Sequence, residues 1–236
     1  ELWSTGLYYA DKDKKTAERY YLASAKYNKE GYASIGNLYY FRGEKEKGIK
    51  KYEEGYAKGD MKSAYELGSI YEQEGNSERA MEWYEKGAEG GNVLAQYNLG
   101  IVHDNMGNYE EAEKYYLKAA EQDYLDSQYN LGVLYEGKKE YVKAKKWYLK
   151  AAEKGEVRSE NNLGVIYSKE KNYKEAEKWY LKASKDGNIK AQYNLGNLYV
   201  EKKEYGKAKE WYSKASALGH NGASEELKKL ENGEEK

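Results

Sequence analysis

The sequence contains no cysteine and no proline. The absence of cysteine excludes disulfide bonds, thiolate nucleophiles and cysteine-based zinc sites, and it leaves the redox compartment undecided. The absence of proline suits a chain of helices joined by tight turns, because proline breaks helix interiors. Apolar runs are short, so we expect no segment that inserts into a membrane. The chain starts at Glu1 with neither an initiator methionine nor a signal-like segment, so we expect a fragment or a mature form.

Neither sign of charge is in excess. Lysine and arginine number 40, aspartate and glutamate number 41, and the net charge is −1. No overall field therefore draws the chain to nucleic acid or to an anionic surface, and we expect no nucleic-acid partner. Aromatic residues are unevenly used, with 29 tyrosines and one phenylalanine. This bias predicts a helical core whose side chains keep a polar tip.

The sequence repeats itself with a fixed period. The hexapeptide AQYNLG occurs at 95–100 and 191–196, and SQYNLG occurs at 127–132. Three columns share a step of 32 residues: a glycine column at Gly36, Gly68, Gly100, Gly132, Gly164 and Gly196; a small-residue column at Gly48, Ala80, Ala112, Ala144, Ala176 and Ala208; and a tyrosine column at Tyr52, Tyr84, Tyr116, Tyr148, Tyr180 and Tyr212. A period of this length predicts a solenoid, although the mean hydropathy of −1.13 alone would suit disorder.

Each repeat predicts two helices, which we call helix A and helix B. In residues 93–122, apolar residues recur at helical spacing in two stretches. Gly107 and Asn108 separate these stretches as a helix stop and an N-cap. The glycine and alanine columns lie 12 residues apart, as in Gly100 and Ala112. We expect these small side chains to let helices A and B approach closely, rather than to form a phosphate loop, which would need a preceding strand.

The repeats resemble two known families. The patterns AQYNLG.LY in helix A and A..WY.KAA in helix B resemble Sel1-like repeats, and GNYEEAEKYYLKA at 107–119 resembles a tetratricopeptide repeat. The resemblance covers nearly the whole chain and is specific for fold but not for ligand. It implies an all-α, right-handed α–α superhelix of about seven helix pairs with a C-terminal capping helix.

The repeat boundaries predict a single repeat domain over residues 1–236. Residues 1–27 form an atypical N-terminal pair, and residues 28–219 form six repeats of 32 residues. Residues 220–232 form a capping helix that keeps Leu227 and Leu230 for the last apolar face, and residues 233–236 form a tail. Atypical terminal repeats are expected of solenoids because their outer faces must be polar.

Helix A should present one face that packing does not determine, on the concave side of the superhelix. Four consecutive repeats place an asparagine there, and an amide can pair with both N–H and C=O of an extended peptide. The candidate contacts with a peptide or protein partner are Tyr65, Tyr97, Asn98, Tyr129, Asn130, Arg158, Asn162, Lys190, Tyr193 and Asn194. Tetratricopeptide domains that hold a carboxylate combine such an asparagine with Lys or Arg, but the rest of that pattern is not evident here.

A structural role for the same residues stays open. Each asparagine could instead bond the neighbouring helix and fix the angle between repeats. The Trp–Tyr pairs of helix B, such as Trp147 and Tyr148, are predicted to belong to the core. His103 and His220 are far apart in sequence, His103 replaces a core tyrosine, and neither completes a metal or Ser/His/Asp pattern. We therefore expect no enzyme activity, no cofactor and no metal.

The predicted function is a protein-interaction scaffold that binds a peptide or partner in the concave groove. The resemblance also implies an alternative, a regulatory or accessory module of a larger enzyme or of a secretion or cell-envelope assembly. A third hypothesis, a carbohydrate or cell-wall binder, depends only on the abundance of Tyr and Trp. The Lys, Asn, Tyr and Glu bias favours a bacterial source.

Overall fold

The computed structural model describes residues 13–25, 27 and 31–233. These residues form fourteen α-helices and no strand, which confirms the all-α fold. The helices are α1 (Lys14–Ala25), α2 (Gly31–Tyr40), α3 (Lys45–Ala57), α4 (Met61–Gln73), α5 (Ser77–Glu89), α6 (Val93–Asn105), α7 (Tyr109–Glu121), α8 (Leu125–Gly137), α9 (Tyr141–Glu153), α10 (Val157–Lys169), α11 (Tyr173–Lys185), α12 (Ile189–Glu201), α13 (Tyr205–Ala217) and α14 (Asn221–Glu231). The first helix of the predicted N-terminal pair and most of the predicted tail lie outside the described residues.

The chain consists of two compact units, Glu1–Tyr124 and Leu125–Lys236. In the first unit, helices A and B pair as α2/α3, α4/α5 and α6/α7, and each pair packs on the next. In the second unit the pairs are α8/α9, α10/α11 and α12/α13, and α14 packs on α13. Leu230 of α14 is buried and Lys228 is exposed, as expected of a terminal helix with a polar exterior. No helix in the described part of the chain has the length and apolarity to cross a membrane.

The glycine column is explained by the tyrosine column. A Cβ on Gly132 would lie 2.3 Å from Cε1 of Tyr148, whose side chain is fully buried in the same hairpin. The same conflict arises between Gly100 and Tyr116, where the distance would be 2.4 Å. The close approach predicted from the sequence is therefore present. The nearest atoms are those of the tyrosine ring, sixteen residues later, rather than of the helix B alanine.

The turns also follow the repeat. In the turns from helix B to helix A, a residue with positive φ is glycine in five places and Asp123 in the sixth. In the turns from helix A to helix B, the first unit again uses glycine, and Gly107 has a φ of 77° as the predicted stop requires. Asn108 occupies the predicted N-cap position, but its side chain makes no capping hydrogen bond.

Candidate functional site

The predicted tyrosines of the A-helix face are held against the core. In the first unit the rings of Tyr65 and Tyr97 lie 6.1 and 6.2 Å from those of the core tyrosines Tyr84 and Tyr116. In the second unit the corresponding pairs are Tyr129 with Tyr148, at 6.0 Å, and Tyr193 with Tyr212, at 5.8 Å. Each of the four A-helix tyrosines is half-buried. One part of each ring is therefore fixed by packing while another part stays accessible.

The predicted asparagine of the first unit contacts the preceding hairpin. Asn98 on α6 hydrogen-bonds the hydroxyl of Tyr84 on α5, and that hydroxyl donates to Glu72 Oε2 over 2.7 Å. Burial, with the hydrogen bond to Glu72, raises the pKa of the Tyr84 phenol, which therefore stays a hydrogen-bond donor. One repeat earlier the column holds Glu66, which hydrogen-bonds Asn37.

In the second unit the amides form a directed hydrogen-bond chain. Asn194 Nδ2 donates to Asn161 Oδ1 over 2.9 Å, and Asn161 Nδ2 donates to Asn162 Oδ1 over 3.2 Å. Asn162 Nδ2 then donates to the Tyr148 hydroxyl over 3.0 Å, and this hydroxyl donates to Glu136 Oε2 over 3.1 Å. The chain crosses α12, α10, α9 and α8. We call it the amide chain.

The amide chain bears on both roles considered for the asparagines. Asn98 and Asn162 do bond a neighbouring helix, as the structural alternative requires. Each amide nitrogen of the chain nevertheless has a second N–H, since an NH₂ group carries two donors. Asn162 and Asn194 are half-buried, and so is Asn130 on α8. Partner contact by these asparagines stays a prediction.

The two predicted cations differ in their surroundings. The Arg158 guanidinium lies 4.2 Å from the ring centroid of Tyr129, donates to Glu156 Oε1 over 2.6 Å and forms an ion pair with Asp126. Its charge is thus already matched by two carboxylates. Lys190 is exposed near the start of α12, and no ion pair joins it to another residue that the structure describes.

Two further residues of this face were missed from the sequence. Asn161 stands where neighbouring repeats have tyrosine, and it links Asn194 to Asn162. His220 caps α14 by accepting the Ala223 N–H at Nδ1, and it stacks on Tyr193 at 4.4 Å. The signal was available for both, because each occupies a column of the repeat: Asn161 with Tyr129 and Tyr193, and His220 with the capping residues Asn92 and Asn188.

Glu160 on α10 differs from the residues at the same position in neighbouring repeats. Its side chain is fully buried, and Oε1 lies 2.8 Å from Lys182 Nζ, which also donates to the Ala152 carbonyl. Neighbouring repeats have glutamine here, and Gln96 donates directly to the carbonyl of Ala88. Burial raises the pKa of the Glu160 carboxyl above its ordinary value, although Lys182 opposes the shift. The charged form therefore disfavours folding at this site.

Glu160→Gln is expected to stabilise the protein near neutral pH by about 1 kcal/mol, because the amide can reach the Ala152 carbonyl without burying a charge. A carboxyl whose pKa is raised on folding loses stability as the pH rises from its unfolded pKa through the folded one. Thermal melting from about pH 4 to about pH 7 should therefore show that the stability gained by Glu160→Gln over the unaltered chain increases with pH. The exposed Glu153→Gln serves as the control and should show no such growth. A Glu160→Gln variant less stable at neutral pH would contradict this account.

The sequence predicts two isolated histidines, and the structure shows the surroundings of the potential metal ligands in the described part of the chain. No group of three or more His, Asp or Glu side chains there could hold a metal ion. His103 is half-buried and its ring stacks on Tyr115 at 5.5 Å, so it takes part in aromatic packing. Trp147 and Trp179 are buried, as predicted, whereas Trp83 and Trp211 are half-buried.

Family models match most of the repeats. Tetratricopeptide repeat models match residues 93–123 and residues 62–89, 158–185 and 189–218, and a Sel1 repeat model matches residues 4–26 and 125–156. No curated protein matches the sequence.

Solved structures with a similar fold are numerous. One is c5321, a protective antigen of uropathogenic Escherichia coli with an SLR fold, at 29% identity and a TM-score of 0.77 over 98% of this chain; the chain spans 56% of that protein's length. A Sel1 repeat protein from Oxalobacter formigenes matches at 21% identity and a TM-score of 0.67, over 92% of this chain and 100% of that one. YrrB, a TPR protein with an unusual peptide-binding site, matches at 23% identity and 0.57, over 73% of this chain and 93% of that one.

Proposed function

Because the chain belongs to the Sel1-like and tetratricopeptide repeat proteins, which are generally protein-interaction scaffolds, we propose that it binds an extended peptide segment of a partner protein along its A-helix face. The observation that carries this proposal is the amide chain of the second unit. Through the buried Asn161, it orients two half-buried amides, Asn162 and Asn194, on two successive A helices before any partner arrives. Donors that are already oriented reduce the entropy lost on binding.

The side chains around the amide chain suit a peptide. A backbone carbonyl can accept the second N–H of an asparagine whatever the peptide sequence. The rings of Tyr129 and Tyr193 offer contact area at low entropic cost, because a tyrosine has only two side-chain torsions. His220 extends this area by stacking on Tyr193 at 4.4 Å. The first unit carries a shorter version of the same face, with Tyr65, Tyr97 and Asn98.

Two features limit the type of peptide. Arg158 is matched by Asp126 and Glu156, so a peptide carboxylate would have to displace an existing carboxylate there. Lys190 is then the one predicted cation without a carboxylate partner among the described residues, so no pair of free cations is available to hold a terminal carboxylate. We therefore propose recognition of the middle of a segment, through its main chain, rather than capture of a terminal carboxylate. YrrB offers a precedent for peptide binding by this fold, and its similarity here concerns the fold alone.

The proposal is tested with peptides selected from a random displayed library on the full chain. We expect Asn130→Ala with Asn162→Ala to weaken the selected peptides by about tenfold, since two amide contacts are lost. Asn162→Ala also removes the bond to Tyr148, so binding is measured well below the melting temperature, with helicity checked by circular dichroism.

The control is Asn76→Ala with Asn172→Ala. These asparagines cap α5 and α11 by accepting the N–H of Arg79 and Glu175. The control therefore also replaces two asparagines and also lowers stability, but away from the A-helix face. We expect it to bind the peptides as the unaltered chain does. Equal weakening by both double variants, or a selection that yields no binding peptide, would overturn the proposed function.

A further inference from the structure

The turns from helix A to helix B differ between the two units. In the first unit, the residue with positive φ is glycine in each turn: Gly43, Gly75 and Gly107. In the second unit, the same column holds lysine, with φ of 60° at Lys139 and 59° at both Lys171 and Lys203. A side chain in this conformation is unfavourable for an L-residue, and glycine avoids the strain. Three consecutive repeats thus keep a strained lysine where glycine would fit.

The replacement of glycine by lysine is confined to one edge of the second unit, the edge that carries the turns from helix A to helix B. The turns from helix B to helix A in that unit keep glycine at the positions with positive φ: Gly155, Gly187 and Gly219. A general loss of glycine from the later repeats would have affected both edges alike. The lysines therefore mark the A-to-B edge specifically. We call Lys139, Lys171 and Lys203 the lysine row.

The lysine row contributes nothing visible to the fold. All three side chains are exposed, and no hydrogen bond, ion pair or ring contact joins them to another described residue. The carboxylates beside them are already paired with other lysines: Glu140 with Lys143 at 2.5 Å, Glu170 with Lys145 at 2.7 Å and Glu204 with Lys207 at 2.6 Å. Each turn is left with one uncompensated cation.

We propose that the lysine row is a second interaction surface, which docks an acidic segment of a partner polypeptide. Strain that brings no internal contact points to a role outside the chain. The cations recur once per repeat with carboxylates between them, so a ligand with separated, movable carboxylates fits better than a continuous phosphate backbone, which would also meet Glu140, Glu170 and Glu204. The three turns of the first unit have glycine at this position, so the lysine row belongs to the second unit alone among the residues that the structure describes. The proposed docking at the lysine row does not depend on the A-helix face.

The probe is a labelled peptide of about twelve residues in which glutamate alternates with glycine, and binding is followed by fluorescence anisotropy at about 50 mM salt. We expect the triple variant Lys139→Gly, Lys171→Gly, Lys203→Gly to bind about tenfold more weakly, since three cation contacts are lost. Its melting temperature should be unchanged or higher, because glycine relieves the strain. A triple Lys→Arg variant should bind as the unaltered chain does.

A charge-matched control removes three other exposed lysines: Lys146→Gln, Lys185→Gln and Lys228→Gln. It should keep full affinity, because none of these residues belongs to an A-to-B turn. The proposal is overturned if the control and the glycine variant weaken binding equally, or if the glycine variant melts at a clearly lower temperature. It is also overturned if duplex DNA or phosphatidylserine vesicles bind the lysine row more tightly than the acidic peptide does.

Discussion

Gly132→Ala is expected to destabilise the second unit by about 3 kcal/mol, at the upper end of the cost of overpacking a core. The added Cβ would lie 2.3 Å from Cε1 and 2.4 Å from Cδ1 of Tyr148. That ring cannot move easily, because Tyr148 has no exposed surface, and its hydroxyl is held by Asn162 and Glu136. Either the ring or the two helices must shift. Chemical denaturation followed by circular dichroism measures the loss.

The matched control lies in the same helix. Gly137 ends α8, its φ is not in the left-handed region, and a Cβ there would meet no atom within 4 Å. Gly137→Ala should therefore be neutral or stabilise by about 0.5 kcal/mol, from helix propensity. In addition, Gly132→Ala combined with Tyr148→Leu should lose less than the sum of the two single changes, because the smaller side chain removes the conflict. Equal effects at Gly132 and Gly137 would contradict the packing assigned to the glycine column.

Asp60→Ala should cost the first unit about 3 kcal/mol, because one buried carboxylate serves two helix N-termini. Asp60 Oδ1 accepts from the N–H of Lys62 and of Ser63 at the start of α4. Its Oδ2 accepts from the Ala33 N–H on α2, over 2.9 Å, and from the Ser63 hydroxyl. Asp60 is 2% exposed, so water cannot replace these bonds. Removing the carboxylate leaves several buried donors unpaired.

Asn92 provides the comparison, since it occupies the same column one repeat later. Its Oδ1 accepts one N–H, that of Ala95, over 2.9 Å, and it is half-buried. Asn92→Ala should therefore cost about 1 kcal/mol, the ordinary value of a lost N-cap. Denaturant midpoints of the two variants distinguish a carboxylate that bonds two helices from an amide that caps only one. A cost at Asp60 no larger than at Asn92 would show that the contact with α2 contributes little.

The sequence predicted the fold from residues whose role recurs. Gly100, Tyr116 and Ala112 each belong to a column of six, and a contact that every hairpin makes leaves a periodic signal. The all-α repeat architecture, the stop at Gly107 and the buried core tyrosines are confirmed for this reason.

The candidate site was less predictable, because its particular features are departures from the period. Asn161 breaks the tyrosine column, Glu160 breaks the glutamine column, and Lys139 replaces a turn glycine. A single sequence shows that such residues differ but not what they contact. The asparagines illustrate the same limit. An asparagine that bonds a neighbouring tyrosine and an asparagine that binds a peptide would have the same spacing in the sequence. Only the structure, which places Tyr148 beside Asn162, showed the bond to tyrosine.

The packing of each core tyrosine on the glycine sixteen residues earlier affects how the protein folds during synthesis. The contact joins two parts of one hairpin, so it needs no distant segment of the chain. Folding rates rise as contacts become more local, and repeat arrays can begin to fold at any hairpin. We expect each hairpin to close as soon as its helix B has left the ribosome. Within each unit, later hairpins would then pack on hairpins that have already folded.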